Sequence, residues 1–139
     1  MFKEDAESKK FLEDSEAQQF VKNTKKLSEI DPKGEGFKAI FYPGGHGPCF
    51  DLPDDKHSLE LIRNFYESGR VTSAVCHAPV VFVNAKLSDG EYLLKGRKAT
   101  CFTDEEEEQA GLTKAIPFLV ESKMTERECL SLLVGRAVY

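Results

Sequence analysis

The sequence predicts an α/β fold built around a parallel sheet. Three short apolar or β-branched runs, residues 37–42, 71–75 and 97–101, have the length and composition of buried strands. A helix-like segment separates the first two runs and another follows the second, so strand, loop, helix, strand and helix fit within about fifty residues. Parallel strands need such crossovers, because the chain must return to the same end of the sheet before each new strand begins.

Length and composition point to one globular domain. The chain has 139 residues, of which 40% are hydrophobic and 31% are charged, an ordinary balance for a folded domain. Its 24 acidic and 19 basic residues give a net charge of −5, which disfavours nucleic-acid binding, since that function needs a basic surface to neutralise phosphates. No apolar run is long enough to span a membrane. The four cysteines are too few for a disulfide framework, so a reduced, cytoplasmic setting is expected.

A first helix is predicted near the N-terminus. The segment Ser15-Glu16-Ala17-Gln18 fits a capping box in which Ser15 is the N-cap. Apolar or small side chains then recur at helical spacing, at Ala17, Phe20, Val21, Thr24 and Leu27. This helix is expected to end before the turn residues at 31–36 and to pack against the rest of the chain through that face.

A glycine-rich loop and a second helix follow the first predicted strand. Three glycines and two prolines within residues 43–48 end the strand and let backbone amides approach a ligand closely. Asp54 or Asp55 is expected to cap the helix, and Gly69 is its predicted stop. The predicted inner face of this helix consists of Leu59, Ile62, Phe65 and Tyr66.

The second half of the chain continues the alternation. Residues 79–83 are apolar enough to begin a buried helix, and residues 87–96 predict a small hairpin. The segment Thr103-Asp104-Glu105-Glu106 is a second capping box, which opens a helix through Gln109. Two further helices are predicted, at 112–120 and 126–134.

Three polar segments are expected to meet at one edge of the sheet. The glycine loop at 43–48, the pair Cys76-His77 and the acidic run 104–108 each follow a predicted strand. Because ligands of open parallel sheets bind beyond the carboxyl ends of the strands, this convergence predicts a functional site.

Cys76 is a candidate nucleophile, and a buried packing cysteine is the alternative. It lies on a sharp strand-to-helix turn, which exposes a nucleophile and leaves the following amide free for an oxyanion. His77 is the candidate base, and His46 either touches a substrate or supports its loop. One acid of the run 104–108 turns inward to orient His77, or the whole run is a solvated helix start.

A metal site is not favoured by the sequence. Cys76, His77, Cys101 and an acid would supply suitable donors, but no paired ligand spacing supports that set. His57 lies at a helix start, where we expect it to be solvated.

Four blocks of the chain carry a resemblance to a known family, and in order they are Tyr42-Pro43-Gly44-Gly45-His46-Gly47, Phe50-Asp51-Leu52-Pro53, Ala74-Val75-Cys76-His77-Ala78-Pro79 and Lys98-Ala99-Thr100-Cys101-Phe102-Thr103-Asp104. Together these blocks resemble the ThiJ/PfpI superfamily and, within it, the glyoxalase III branch of glutathione-independent glyoxalases, also called D-lactate dehydratases. The resemblance extends from about residue 5 to about residue 120. It implies a three-layer α/β/α sandwich with a parallel sheet, flavodoxin-like and similar to class I glutamine amidotransferases.

The resemblance also implies an activity and its residues. Members convert methylglyoxal and water to D-lactate without glutathione, metal or other cofactor. By position, Cys76 matches the nucleophile, His77 the adjacent histidine and Glu107 the acid, with Glu106 and Glu108 as the neighbouring alternatives. Gly44, Gly45 and the His77 amide match the oxyanion donors, and His46 is grouped with them on the substrate side. The expected partners are a small 2-oxoaldehyde, a second copy of the chain and unfolded-protein clients, in the cytoplasm and also the nucleus.

The chain departs from the family pattern at both ends. It is expected to be a single, incomplete ThiJ/PfpI-like domain over residues 1–139, without the first βα unit and divergent from about residue 121. That first unit carries a glutamate that moves a proton near the cysteine, so weak or absent activity is expected. A stress-related chaperone or non-catalytic interaction protein of the same fold is the alternative. An amidotransferase is disfavoured, because no histidine follows His77.

Overall fold

The computed structural model describes residues 5–131, and the chain divides into two compact units, Met1–Ile30 and Asp31–Tyr139. Within the described residues, no helix is long and apolar enough to cross a membrane. The expectation of a single family domain over residues 1–139 stays a prediction.

The first unit contains two short helices, α1 (Ala6–Glu13) and α2 (Ser15–Lys22), and a 3₁₀ turn at Leu27–Glu29. The predicted capping role of Ser15 is wrong, because the Asp14 carboxylate accepts the Glu16 and Ala17 amides and makes Ser15 the first helical residue. The helix also ends earlier than predicted, at Asn23, a residue type that readily leaves helical geometry. Neither helix buries a residue, and Phe20 and Val21, on the face of α2 that was expected to pack, are 75% and 56% exposed.

The second unit is organised around two parallel strands. Strand β1 (Ala39–Tyr42) pairs with β2 (Val71–Ala74) in a register that runs from Ala39–Val71 to Tyr42–Ala74. The crossover between them contains a short helix, α3 (Pro48–Asp51), and a longer one, α4 (Lys56–Glu67). The predicted parallel strand–helix–strand unit is therefore confirmed.

Helix α4 begins and ends as the sequence predicts. Asp55, rather than Asp54, is the N-cap, and its carboxylate accepts the Ser58 amide at 2.7 Å. At the other end Gly69 adopts φ +72°, while the Arg70 amide donates to the Phe65 carbonyl at 3.0 Å. The buried face is shifted slightly from the prediction and consists of Ser58, Leu61, Ile62 and Phe65.

The chain after β2 supplies most of the core. A 3₁₀ helix, Ala78–Phe82, replaces the predicted start of an α-helix and buries its first four residues. The predicted hairpin is present as a single antiparallel bridge between Lys86 and Tyr92. The third strand is short, and β3 (Lys98–Ala99) pairs in parallel with β4 (Leu130–Ser131) instead of joining the first sheet.

Two helices follow β3, and the predicted pair at 112–120 and 126–134 is wrong. Helix α5 (Asp104–Gln109) has the predicted capping box, and helix α6 (Val120–Glu126) is the last in the described chain. Residues 112–119 are not helical, since Pro117 lacks the amide that a helix interior needs. Glu128 adopts φ +58°, which ends α6 and directs the chain into β4. Residues 132–134 lie outside the described residues.

Candidate active site

Cys76 lies on a sharp turn immediately after β2. Its φ of +62° is in the left-handed region, an uncommon conformation for a residue with a side chain. Two backbone hydrogen bonds hold the turn: the Ala78 amide donates to the Val75 carbonyl at 3.0 Å, and the Phe102 amide donates to the Cys76 carbonyl at 2.8 Å. The cysteine side chain is exposed. The structure therefore places an accessible thiol on a strained turn, at the predicted position.

Gly44 allows the loop after β1 to pass directly beside this turn. A Cβ atom at Gly44 would lie 3.0 Å from the Cys76 Cβ and 3.1 Å from the Val75 carbonyl oxygen, and the residue has φ +108°. Both the space and the conformation therefore require glycine. Gly45 also has a positive φ, +80°, but a Cβ there would meet no atom within 4 Å.

Cys76, His77 and Glu107 form a continuous chain of polar contacts. The Cys76 Sγ lies 3.3 Å from His77 Nδ1, and His77 Nε2 lies 2.5 Å from Glu107 Oε2. His77 is 4% exposed and Glu107 is 2% exposed. In this arrangement Nε2–H donates to the carboxylate, which leaves Nδ1 to face the sulfur. The imidazole is thus oriented to exchange a proton with the thiol.

The structure selects one acid from the run 104–108. Glu106 is used in the capping box, where its carboxylate accepts the Thr103 amide at 2.8 Å, and Glu108 is exposed. Glu107 lies on the inner side of α5 and contacts His77. The geometry therefore places the residue aligned by resemblance, rather than either neighbour, beside the histidine.

His46 contacts the same carboxylate from the other side. Its Nε2 lies 3.1 Å from Glu107 Oε1, and its ring centre lies 4.2 Å from that of His77. Its side chain is 31% exposed, so one part of the ring faces solvent. Sequence reasoning expected His46 on the substrate side and missed this hydrogen bond, because no spacing signal links residues 61 positions apart.

Two further residues at the site were not predicted. Phe102 stacks on the His77 ring, with centroids 4.2 Å apart and an interplanar angle of 26°. Cys49 is buried nearby, and burial, reinforced by the proximity of Glu107 and Cys76, raises its pKa to about 11. The Phe102 ring restricts the plane of His77, and the raised pKa keeps the Cys49 thiol protonated well above neutral pH.

The amides expected to bind an oxyanion are unoccupied by other partners. Within residues 5–131, neither the Gly45 amide nor the His77 amide donates a hydrogen bond. The His77 amide lies in the turn at Cys76, and Gly45 follows Gly44, where a Cβ atom would lie 3.8 Å from the Cys76 Sγ. The oxyanion role of these amides stays a prediction.

The remaining cysteines and His57 lie outside the site. Burial raises the pKa of Cys101 to about 12 and also raises that of Cys129. His57 is half-buried near the start of α4. Across residues 5–131, the group of donors that could hold a metal ion is His46, His77 and Glu107, whose ligand atoms all lie within 4.8 Å of one another.

A parallel strand–helix–strand unit with a cysteine on a strained turn defines a class of α/β proteins that carry a nucleophile at the sheet edge. The sequence profile of the DJ-1/PfpI family matches residues 7–127, and the chain belongs to this family. The predicted α/β fold with a parallel sheet is therefore confirmed, and it is of the flavodoxin-like type found in the DJ-1/PfpI family.

Individual relatives share both sequence and backbone with the chain. Glyoxalase 3 of Candida albicans is 43% identical over 96 residues, which are 67% of this chain and 39% of that protein. The crystal structure of glyoxalase III from C. albicans superposes with a TM-score of 0.80 at 32% identity, covering 96% of this chain and 57% of that one. The Rapid Encystment Protein of Francisella tularensis superposes with a TM-score of 0.85 at 27% identity, covering 99% and 59%. The match to Glyoxalase 3 of C. albicans therefore spans about two fifths of the length of that protein.

Proposed function

We propose that this chain acts as a glutathione-independent glyoxalase, which converts methylglyoxal and water to D-lactate. The observation that carries the proposal is the contact chain from the exposed Cys76 sulfur through His77 to the buried Glu107. The names of similar proteins support the same reaction, since glyoxalase III of C. albicans is among them.

Cys76 is the proposed nucleophile and His77 its base. The thiol gives its proton to His77 Nδ1, and the imidazolium that forms is stabilised by the Glu107 carboxylate on the opposite nitrogen. The sulfur then adds to the aldehyde carbon of methylglyoxal, and the imidazolium returns its proton to the resulting alkoxide oxygen, which gives a hemithioacetal and a neutral His77. The Gly45 and His77 amides donate to the oxygen that becomes negatively charged in this step.

The remaining steps are a proton transfer and a hydrolysis. A base removes the hydrogen from the former aldehyde carbon to give an enediol, and protonation of the adjacent carbon gives a lactoyl thioester on Cys76. Water cleaves the thioester, which releases lactate and restores the thiol. Among the described residues, His77 is the titratable group in contact with the sulfur, so we assign these proton transfers to it.

Production of D-lactate by the purified chain tests the proposal. Methylglyoxal is supplied without glutathione, and D-lactate is measured with a stereospecific dehydrogenase. We expect product from the wild-type chain and none from Cys76→Ser, with Cys129→Ser as the matched control that retains activity. Equal product from the wild-type chain and Cys76→Ser would refute the proposed chemistry.

A chaperone role is the second candidate, and an uncovered sheet face favours it. Phe41 is 59% exposed and Val71 is 61% exposed, and both point to the same side of the β1–β2 pair. Parallel sheets normally bury both faces, so this apolar surface is available to unfolded clients or to a second copy of the chain.

Measurements on two variants distinguish the glyoxalase role from the chaperone role. Suppression of client aggregation that persists in Cys76→Ser but decreases in Phe41→Ser would favour the chaperone role. A homodimer and a cytoplasmic or nuclear location remain predictions.

A further inference from the structure

Three nitrogen and oxygen donors meet on the side of His77 that faces away from the sulfur. The Nε2 atoms of His46 and His77 lie 3.1 and 2.5 Å from the two different oxygens of Glu107. One ligand atom from each of the three residues lies within 4.8 Å of the ligand atoms of the other two. Two imidazoles and a carboxylate that converge in this way are the ligand set of many mononuclear zinc sites. We propose that His46, His77 and Glu107 bind one Zn²⁺ ion, and that the bound ion blocks the cysteine.

The surroundings hold two of the three ligands in place. Phe102 stacks on His77 and restricts rotation of its ring. Glu107 is 2% exposed and is anchored on α5. His46 is the exposed member, and its side chain is 31% accessible on the glycine loop. The ion would therefore reach the site past His46.

Zinc binding requires a small rearrangement. In the described arrangement, the protons on the two Nε2 atoms occupy the space between the rings and the carboxylate. Zinc ligands lie about 2.0–2.2 Å from the metal, so the His77–Glu107 contact must lengthen to admit the ion. His46 lies between Gly45 and Gly47, whose wide range of backbone conformations allows the loop to adjust around the ion. Each ring then carries its remaining proton on Nδ1.

The tautomer imposed by zinc explains why the ion would inhibit. With Nε2 bonded to the metal, His77 Nδ1 carries a proton and points at the Cys76 Sγ, 3.3 Å away. That nitrogen can no longer accept the thiol proton. Loss of activity on zinc binding rests on the proposed function, whereas binding itself does not.

Zinc binding is measured first, on the full metal-free chain, by calorimetry with ZnCl₂. We expect one ion per chain. His46→Gln and Glu107→Gln each remove a ligand, and we expect at least about tenfold weaker binding, the lower end of what even outer-shell changes cause. His57→Gln is the matched control, because it removes a histidine outside the site, and Cys76→Ser should bind zinc like the wild-type chain.

Cobalt reports the ligand type. Co²⁺ bound to nitrogen and oxygen gives visible d–d absorption without a sulfur-to-cobalt charge-transfer band. That band, or a loss of affinity in Cys76→Ser that equals the loss in His46→Gln, would place the metal on the thiol and overturn the proposal. Absence of binding, or equal weakening by His57→Gln, would overturn it as well.

Activity provides the last readout. If the wild-type chain forms D-lactate, saturating Zn²⁺ should abolish product and excess EDTA should restore it, and half-maximal inhibition should occur at the zinc concentration that half-saturates the chain in calorimetry. Zinc binding without any D-lactate formation by the metal-free chain would instead refute the glyoxalase function and leave the metal site standing. Full activity with zinc bound would refute inhibition.

Discussion

Glu107 is the residue whose substitution tests the site most directly. It is 2% exposed, and its carboxylate is the partner of the His77 Nε2 atom. Glu107→Gln keeps the shape and one hydrogen-bond acceptor but removes the negative charge. We expect the substitution to lower the rate of D-lactate formation, because His77 becomes positively charged when it accepts the thiol proton.

The size of the effect follows from the attraction between these two charges. Opposite charges about 4 Å apart attract each other by about 4 kcal/mol at an effective dielectric constant of about 20. If that attraction is realised only after His77 gains its proton, its loss slows the reaction about 10³-fold. The estimate applies to a buried pair, and both residues are at most 4% exposed.

Two measurements on Glu107→Gln and a control variant check this value. D-lactate formation gives the catalytic rate, and the rate of Cys76 alkylation by iodoacetamide reports the thiol even when turnover is slow. Glu108→Gln makes the same change of charge one position along α5, where the side chain is exposed. We expect both rates to fall in Glu107→Gln and to stay near wild type in Glu108→Gln. Equal rates in the two variants would refute the orienting role of Glu107.

Three further predictions concern the turn and the buried thiols. At neutral pH, iodoacetamide should label Cys76 before the other cysteines, since Cys76 is exposed and the pKa values of Cys49 and Cys101 are raised to about 11 and about 12; equal labelling of all four by peptide mapping would contradict this. Gly44→Ala should lower the free energy of unfolding by about 1–3 kcal/mol through backbone strain, and further through its contact with Cys76, whereas Gly45→Ala should lose the strain contribution alone. Equal losses of unfolding free energy in urea for the two variants would contradict the close approach of Gly44 to Cys76. Because the folded pKa values of the Cys49 and Cys101 thiols exceed the ordinary value of 9.0, their contribution to stability is present below about pH 9 and is lost as the pH rises through the folded values. Between about pH 9 and pH 11, the free energy of unfolding of Cys49→Ala should therefore fall less than that of the wild-type chain. Urea midpoints that fall equally with pH in the two proteins would contradict this prediction.

Local sequence signals predicted the elements that flank the site. The apolar runs gave the positions of β1 and β2, the Asp55 cap and Gly69 stop bounded α4, and the Thr103–Glu106 capping box began α5. Each of these features depends on residues within a few positions of one another, so the chemistry that fixes it is contained in the local sequence. The wrong helix prediction at 112–120 also has a local cause, because the apolar content of that segment favours a helix but Pro117 lacks the backbone amide that a helix interior needs.

The arrangement of the site depended on contacts between distant segments. The sequence by itself determined that a cysteine and a histidine follow a strand and that several acids open α5. Only the tertiary structure decided that Glu107 faces inward and that His46 shares its carboxylate from 61 positions away. The reason is that neighbouring acids have nearly the same local preferences, and the packing of α5 against the rest of the unit chooses which of them is buried beside the imidazoles.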